Sequence, residues 1–161
     1  MSVNKYEPHV PVLPEDDANR QMVVGFELDP LLDPRKMYVL LPAGGWMKAI
    51  EQFNETHATE MEKYLHRHFV LIVDFDGQND RLTLLKSQIP DGLADRVFIA
   101  GTWSEPAKLR MALKISLESV GTLLAAECRD ARPIVWNHEL LRHNSGELQR
   151  MSEKLAPIVF R

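Results

Sequence analysis

The chain reads as an α/β protein: a mostly parallel sheet of four or five strands with helices on both faces. Three observations predict this. Short, solidly apolar runs recur at "HVPVL" (9–13), "KMYVLLPAGG" (36–45), "FVLIVD" (69–74) and "RVFIAG" (96–101). Strands buried on both faces read as such unbroken runs, whereas half-exposed strands alternate. Segments with helical spacing lie between successive runs, the pattern of parallel strands joined by crossover helices. Turn formers and helix-start residues then follow the runs directly.

The first strand leads into a helix predicted over 14–28, with Pro14, Glu15, Asp16 and Asp17 in the first turn that the helix dipole favours for acids. Met22, Val23 and Phe26 supply its apolar stripe. "DPLLDP" (29–34) is a breaker-rich loop. The second strand ends in Gly44 and Gly45, and a long amphipathic helix is predicted over 46–68 with Ile50, Phe53, His57, Met61 and Tyr64 as its stripe. His66 and His68 fall at its end, where the dipole favours cations. The third strand, 69–74, precedes a short helix at 80–90. After the fourth strand, Ser104 is expected to cap a helix that has Pro106 in its first turn and runs to about Cys128. "PIVW" (133–136) is the candidate fifth strand and "SGELQRMSEKL" (145–155) the last helix.

The 161 residues suit one domain with a full core. A composition of 45% hydrophobic and 26% charged residues is ordinary for a globular protein. No apolar run approaches the ~18 residues of a membrane span, and "MSVNKYEPHV" lacks the apolar core of a secretion signal. The single cysteine, Cys128, has no partner for an internal disulfide and suits a reducing compartment, so a cytoplasmic location is expected. A formal charge of −4 gives no global attraction to nucleic acid, so any such binding needs a local patch, a metal or a partner protein.

The acids carry the chemistry. In open parallel sheets ligands bind beyond the carboxyl ends of the strands. Strand one is followed by Glu15, Asp16 and Asp17, strand two by Gly44 and Gly45, and strand three ends in Asp74 and Asp76, with Asp80 nearby. A parallel arrangement gathers all of these on one edge. Asp74 and Asp76 share a face if the strand persists that far. Such carboxylates repel one another unless a cation neutralises them. Hard oxygen ligands suit Mg²⁺, which takes one or two carboxylates and keeps waters for phosphate oxygens to replace. Lys48, just after the glycine turn, is placed to meet phosphate, although a solvated helix lysine is the commoner role.

The order of acidic helix start, glycine turn and "DFD" resembles the TOPRIM domain of topoisomerases, primases and overcoming-lysogenization-defect nucleases. The resemblance is strongest over 9–115, leaving 116–161 as an extension. It implies a Rossmann-like three-layer sandwich and an Mg²⁺ or Mn²⁺ site for phosphodiester cleavage. Glu15 takes the position of the family glutamate, and Asp74 and Asp76 that of the DxD pair. Asp80 and Glu105 fall where some members place further acids, and Asp16 stands where the family usually has glycine. The resemblance further implies a nuclease or nuclease subunit acting on DNA or RNA, with an ATPase partner and a role in defence. A binding or scaffold module that has lost catalysis is the alternative. A phosphoaccepting receiver domain, using Asp16, Asp17, Asp74 and Thr102, is less well matched because no lysine follows the candidate fifth strand. The sequence leaves open whether copies of the chain associate.

Overall fold

In the computed structural model, which describes residues 2–161, four parallel strands form one sheet. They are β1 (Val10–Pro14), β2 (Met37–Val39), β3 (Phe69–Ile72) and β4 (Val97–Ala100), in the order β2–β1–β3–β4. Pleating sends successive side chains to opposite faces, and the sequence fills both faces with apolar groups. Phe69, Leu71, Val97 and Ile99 enter one core, which α2 (Trp46–Gln52), α3 (Ala58–Lys63) and α4 (Arg81–Ser87) cover. Val70, Phe98 and Ala100 enter the other. That face lies under α1 (Asp17–Glu27), α5 (Pro106–Leu113), α6 (Leu117–Asp130), α7 (Ser145–Lys154) and α8 (Ala156–Val159). The result is a three-layer α/β sandwich. No helix among the described residues is long and apolar enough to cross a membrane.

Two prolines lie in the central strand β1, where a missing amide ordinarily costs a ladder bond. Both sit where a ladder is interrupted. Pairing of β1 with β3 begins at Val12, just after Pro11, and pairing of β1 with β2 stops at Val12, before Pro14. Pro14 therefore closes the strand and does not open the helix. The first helix starts at Asp17, capped by Asp16, whose carboxylate accepts from the Asn19 amide at 2.9 Å.

The segment 133–136 is not a fifth strand. Val135–Asn137 is a 3₁₀ turn, and the amides of Ile134, Val135 and Trp136 donate to the Glu127 carboxylate at 2.6, 3.1 and 3.2 Å. The sheet edge beside β4 is closed in another way. Asn144 donates to the Gly101 carbonyl at 2.9 Å and accepts from its amide at 3.1 Å, and Glu147 accepts from the Ile99 amide at 3.0 Å. Lys86 and Arg150 neutralise Glu147 in turn. Side chains thus occupy the groups a fifth strand would have used. Gly101 is obligatory beside them: its φ is +154°, and a Cβ there would lie 1.7 Å from the Val73 carbonyl oxygen.

Two long helices break where the sequence predicted continuity. Lys114 turns left-handed at φ 58°, and Ser116 caps a new helix by accepting from the Ser119 amide, so 104–128 becomes α5 and α6. Glu105, not Ser104, holds the cap position of α5. The helix predicted over 46–68 contains a π-helical turn at Phe53–His57 and ends at Lys63. Its stripe survives, with Ile50, Phe53 and Met61 buried. His66 and His68 lie beyond that end and do not cap it. Arg96 does so, donating to the carbonyls of Met61, Tyr64 and Arg67 at 3.1, 3.3 and 2.8 Å.

Candidate active site

The strand order reverses between β1 and β3, and the crevice beyond their carboxyl ends is where such sheets accept ligands. Glu15 and Asp74 stand at that point. The Glu15 amide continues the ladder by donating to the Ile72 carbonyl at 2.8 Å. Its carbonyl accepts from the amides of Gly44 and Gly45 at 2.8 and 3.2 Å, which ties the glycine turn to the strand end. Those glycines have φ of 94° and 145°, a conformation other residues rarely reach. Asp74 follows Val73, whose amide still bonds to the Ala100 carbonyl at 2.9 Å. The Asp74 amide donates to Glu15 Oε2 at 2.5 Å, so the two acids are held side by side.

Both carboxyls are nearly out of water, at 9% and 7% exposure. Burial, opposed by the Asp74 amide and reinforced by the charges of Asp74, Asp16 and Asp76, pushes Glu15 up to about 7. Burial likewise raises Asp74 to about 6; Asn19 and Thr102 oppose the rise, while Asp16 and Asp76 add to it. Asn19 is fully buried at the third helical position of α1, where the Asp16 cap directs it back toward the acids. Its amide nitrogen donates at 2.9 Å to Asp16 Oδ1 and to Asp74 Oδ1. Its own Oδ1 is buried with no partner. Thr102, also fully buried, places Oγ1 3.5 Å from Asp74 Oδ1 and donates to the Ser104 carbonyl at 2.5 Å.

Asp76 is set apart. The regular strand does not persist to it: Phe75 still bonds to the Thr102 carbonyl, Asp76 turns left-handed at φ 51°, and the Gly77 amide shifts to the Trp103 carbonyl. Its exposed carboxylate pairs with Arg81 Nη1 at 3.0 Å, and the same nitrogen donates to the Asp74 carbonyl at 2.8 Å. The Arg81 guanidinium lies 4.0 Å over the Trp46 ring. Asp80 and Glu105 are exposed at the cap positions of α4 and α5 and make no capping bond. Lys48 is exposed in the first turn of α2, close to Gly44.

Among the described residues, no group of three or more His, Cys, Asp or Glu side chains is placed to hold a metal ion. Glu15, Asp16, Asp74, Asp76, Asp80 and Glu105 therefore do not form one protein cage. The donor set that is present is smaller and fits a hard, hydrated cation. Glu15 Oε2 and Asp74 Oδ1 accept hydrogen bonds, and each carboxylate has a second oxygen. Mg²⁺ characteristically takes one or two carboxylates and completes its shell with water.

Sequence reading missed Asn19 and Arg81, and it named Thr102 only for the receiver alternative. Asn19 carried a usable signal, three residues after an acid that caps a helix. Thr102 follows the fourth strand as Asp74 follows the third. Arg81 looked like an ordinary helix-start residue, and only the left-handed turn at Asp76 folds it back over the crevice. In comparisons with known proteins, no protein-family model matches the chain and no curated protein matches it.

Proposed function

We propose that the chain is a divalent-cation-dependent phosphodiester hydrolase, a nuclease or nuclease subunit, with Glu15 and Asp74 holding Mg²⁺ or Mn²⁺. The observation that carries this reading is the pair itself: two adjoining buried carboxylates, raised to about 7 and about 6, at the strand reversal of a parallel sheet. A fold that keeps two such acids together without a basic partner favours a cation there. When bound, the cation polarises a phosphate and stabilises the charge that develops on it.

The surrounding residues have separable tasks. Asn19 fixes the Asp74 carboxylate and joins it to the cap of α1. Arg81 is paired with Asp76 and holds the turn after β3, and Lys48 supplies an exposed ammonium on α2 for a phosphate backbone. The TOPRIM resemblance supplies nucleic acid as substrate and an ATPase as partner, and both belong to this proposal. One observation favours the scaffold reading: the Asp16 and Asp76 carboxylates are already engaged by Asn19 and Arg81. A receiver domain is disfavoured, because no fifth strand is present among the described residues to carry its lysine.

The test is cleavage of single- and double-stranded DNA and RNA with Mg²⁺ or Mn²⁺, alone and with an ATPase partner recovered by co-purification. Wild type should cut, and Glu15→Gln and Asp74→Asn should each lose at least a hundredfold in rate, as expected for transition-state charge stabilisation. Cleavage that survives both substitutions would remove the site. Failure on every substrate, with Mn²⁺ binding intact, would leave the scaffold reading.

A further inference from the structure

The core under α1, α6 and α7 contains a void unrelated to the acids. It offers about 100 Å³ between the sheet and the helices and is partly open at its rim, and its walls include Val12, Val70 and Ala100 from the strands and Met22, Trp136 and Met151 from the covering layer. Native cores rarely keep voids larger than a water molecule. The polar groups along the void are all engaged elsewhere. The Trp136 indole donates to the Leu124 carbonyl at 3.0 Å, Cys128 Sγ lies 3.8 Å from Ser152 Oγ, and Asn144 holds both backbone groups of Gly101. Water entering such a space finds no partner, and apolar cavities of this kind stay dry and take up apolar guests.

We infer that this void is a binding site for an uncharged apolar group: a single ring or the end of a short aliphatic chain. Charge is excluded by the walls, since an ion there would meet neither donor nor counter-ion. Size is limited by volume, a dry cavity of ~150 Å³ being filled by benzene. The space is large enough for a small ring after slight adjustment of Met22 and Met151, whose unbranched chains repack readily. Half-buried Phe26 and Ala156 border it, giving a chain with a polar head a way in from the surface.

The experiment uses the full chain and three probes: xenon, benzene and octanoate. Xenon should show a saturable change in its NMR shift with the protein, independent of Mg²⁺. Benzene or octanoate should raise the melting temperature by a few degrees at saturation. Response to benzene alone identifies a free apolar molecule as the ligand class, and response to octanoate alone identifies the tail of an amphiphile. Either supports the site. Val70→Ile combined with Ala100→Val should fill the space, leave the acidic crevice unchanged and abolish each response. If that variant does not fold, the xenon titration of wild type still decides. No saturable response to any probe, or an undiminished one in a folded filled variant, would overturn the inference.

Discussion

Replacing Glu15 by glutamine should stabilise the cation-free protein, and the size of the gain follows from the site. Burial lifts Glu15 from 4.5 to about 7. At about 1.4 kcal/mol for each pH unit between those values, ionising it in the native state costs about 3 kcal/mol at pH 8. The sign is fixed by proton counts. Between pH 4.5 and 7 the native chain holds this proton more often than the unfolded chain, so wild type loses stability as pH rises through that window. Glutamine removes the charge and still offers an oxygen to the Asp74 amide. Glu15→Gln in chelator should therefore match wild type near pH 4 and exceed it by about 3 kcal/mol at pH 8. For a chain of this length that is roughly 6–12 °C in melting temperature. Urea denaturation at the two pH values, with and without Mg²⁺, gives the measurement. Mg²⁺ should stabilise wild type by mass action and leave Glu15→Gln unmoved, closing the gap. Equal stability of the two proteins at pH 8 in chelator, or an equal gain at pH 4, would refute the account of a strained carboxylate.

Three further outcomes follow from the packing. Gly101→Ala should abolish folding, because the new Cβ would overlap the Val73 carbonyl, whereas Gly92→Ala, with nothing within 4 Å, should leave the circular dichroism melt unchanged. Asn144→Ala should cost about 2–4 kcal/mol in urea denaturation, since it strands both the amide and the carbonyl of Gly101 in the interior. Burial holds His9, His57, His68 and His143 below their ordinary value. Unfolded histidines therefore take up protons first, and stability falls as pH drops below 6.5. In wild type the two raised carboxyls oppose that trend, so the loss between pH 7 and 5 should be steeper in a Glu15→Gln, Asp74→Asn double variant.

The sheet was legible because its strands are buried on both faces, which leaves unbroken apolar runs that local reading detects. The missing fifth strand has one cause: distant side chains replaced its backbone partners. "PIVW" has the composition of a strand, but Glu127 takes its amides and Asn144 and Glu147 take the edge it would have joined. The break at Lys114 has no proline or glycine to announce it. Glu15 and Asp74 could be found because strand ends are the ligand edge of this architecture. Asp76 looked equivalent to Asp74 two residues away, and its left-handed backbone turns it instead toward Arg81.

The placement of unsatisfied polarity gives the site an independent argument. Native proteins pair nearly all buried polar atoms, and exceptions concentrate where function requires them. The long C-terminal extension completes the edge of β4 with a fully bonded asparagine and a glutamate held by two cations. Around the crevice between β1 and β3 the treatment differs. The buried side-chain atoms without a partner among the described residues are Asn19 Oδ1, Ser104 Oγ and the two ring nitrogens of His143. Asn19 holds Asp74, Ser104 follows the Thr102 that approaches it, and His143 packs on Phe75, the next residue. The Gly101 bonds at the β4 edge are thus all made, while the shell around the two carboxyls that burial makes costly to ionise is less completely paired. Under the proposed function, a cation and its waters would complete that shell.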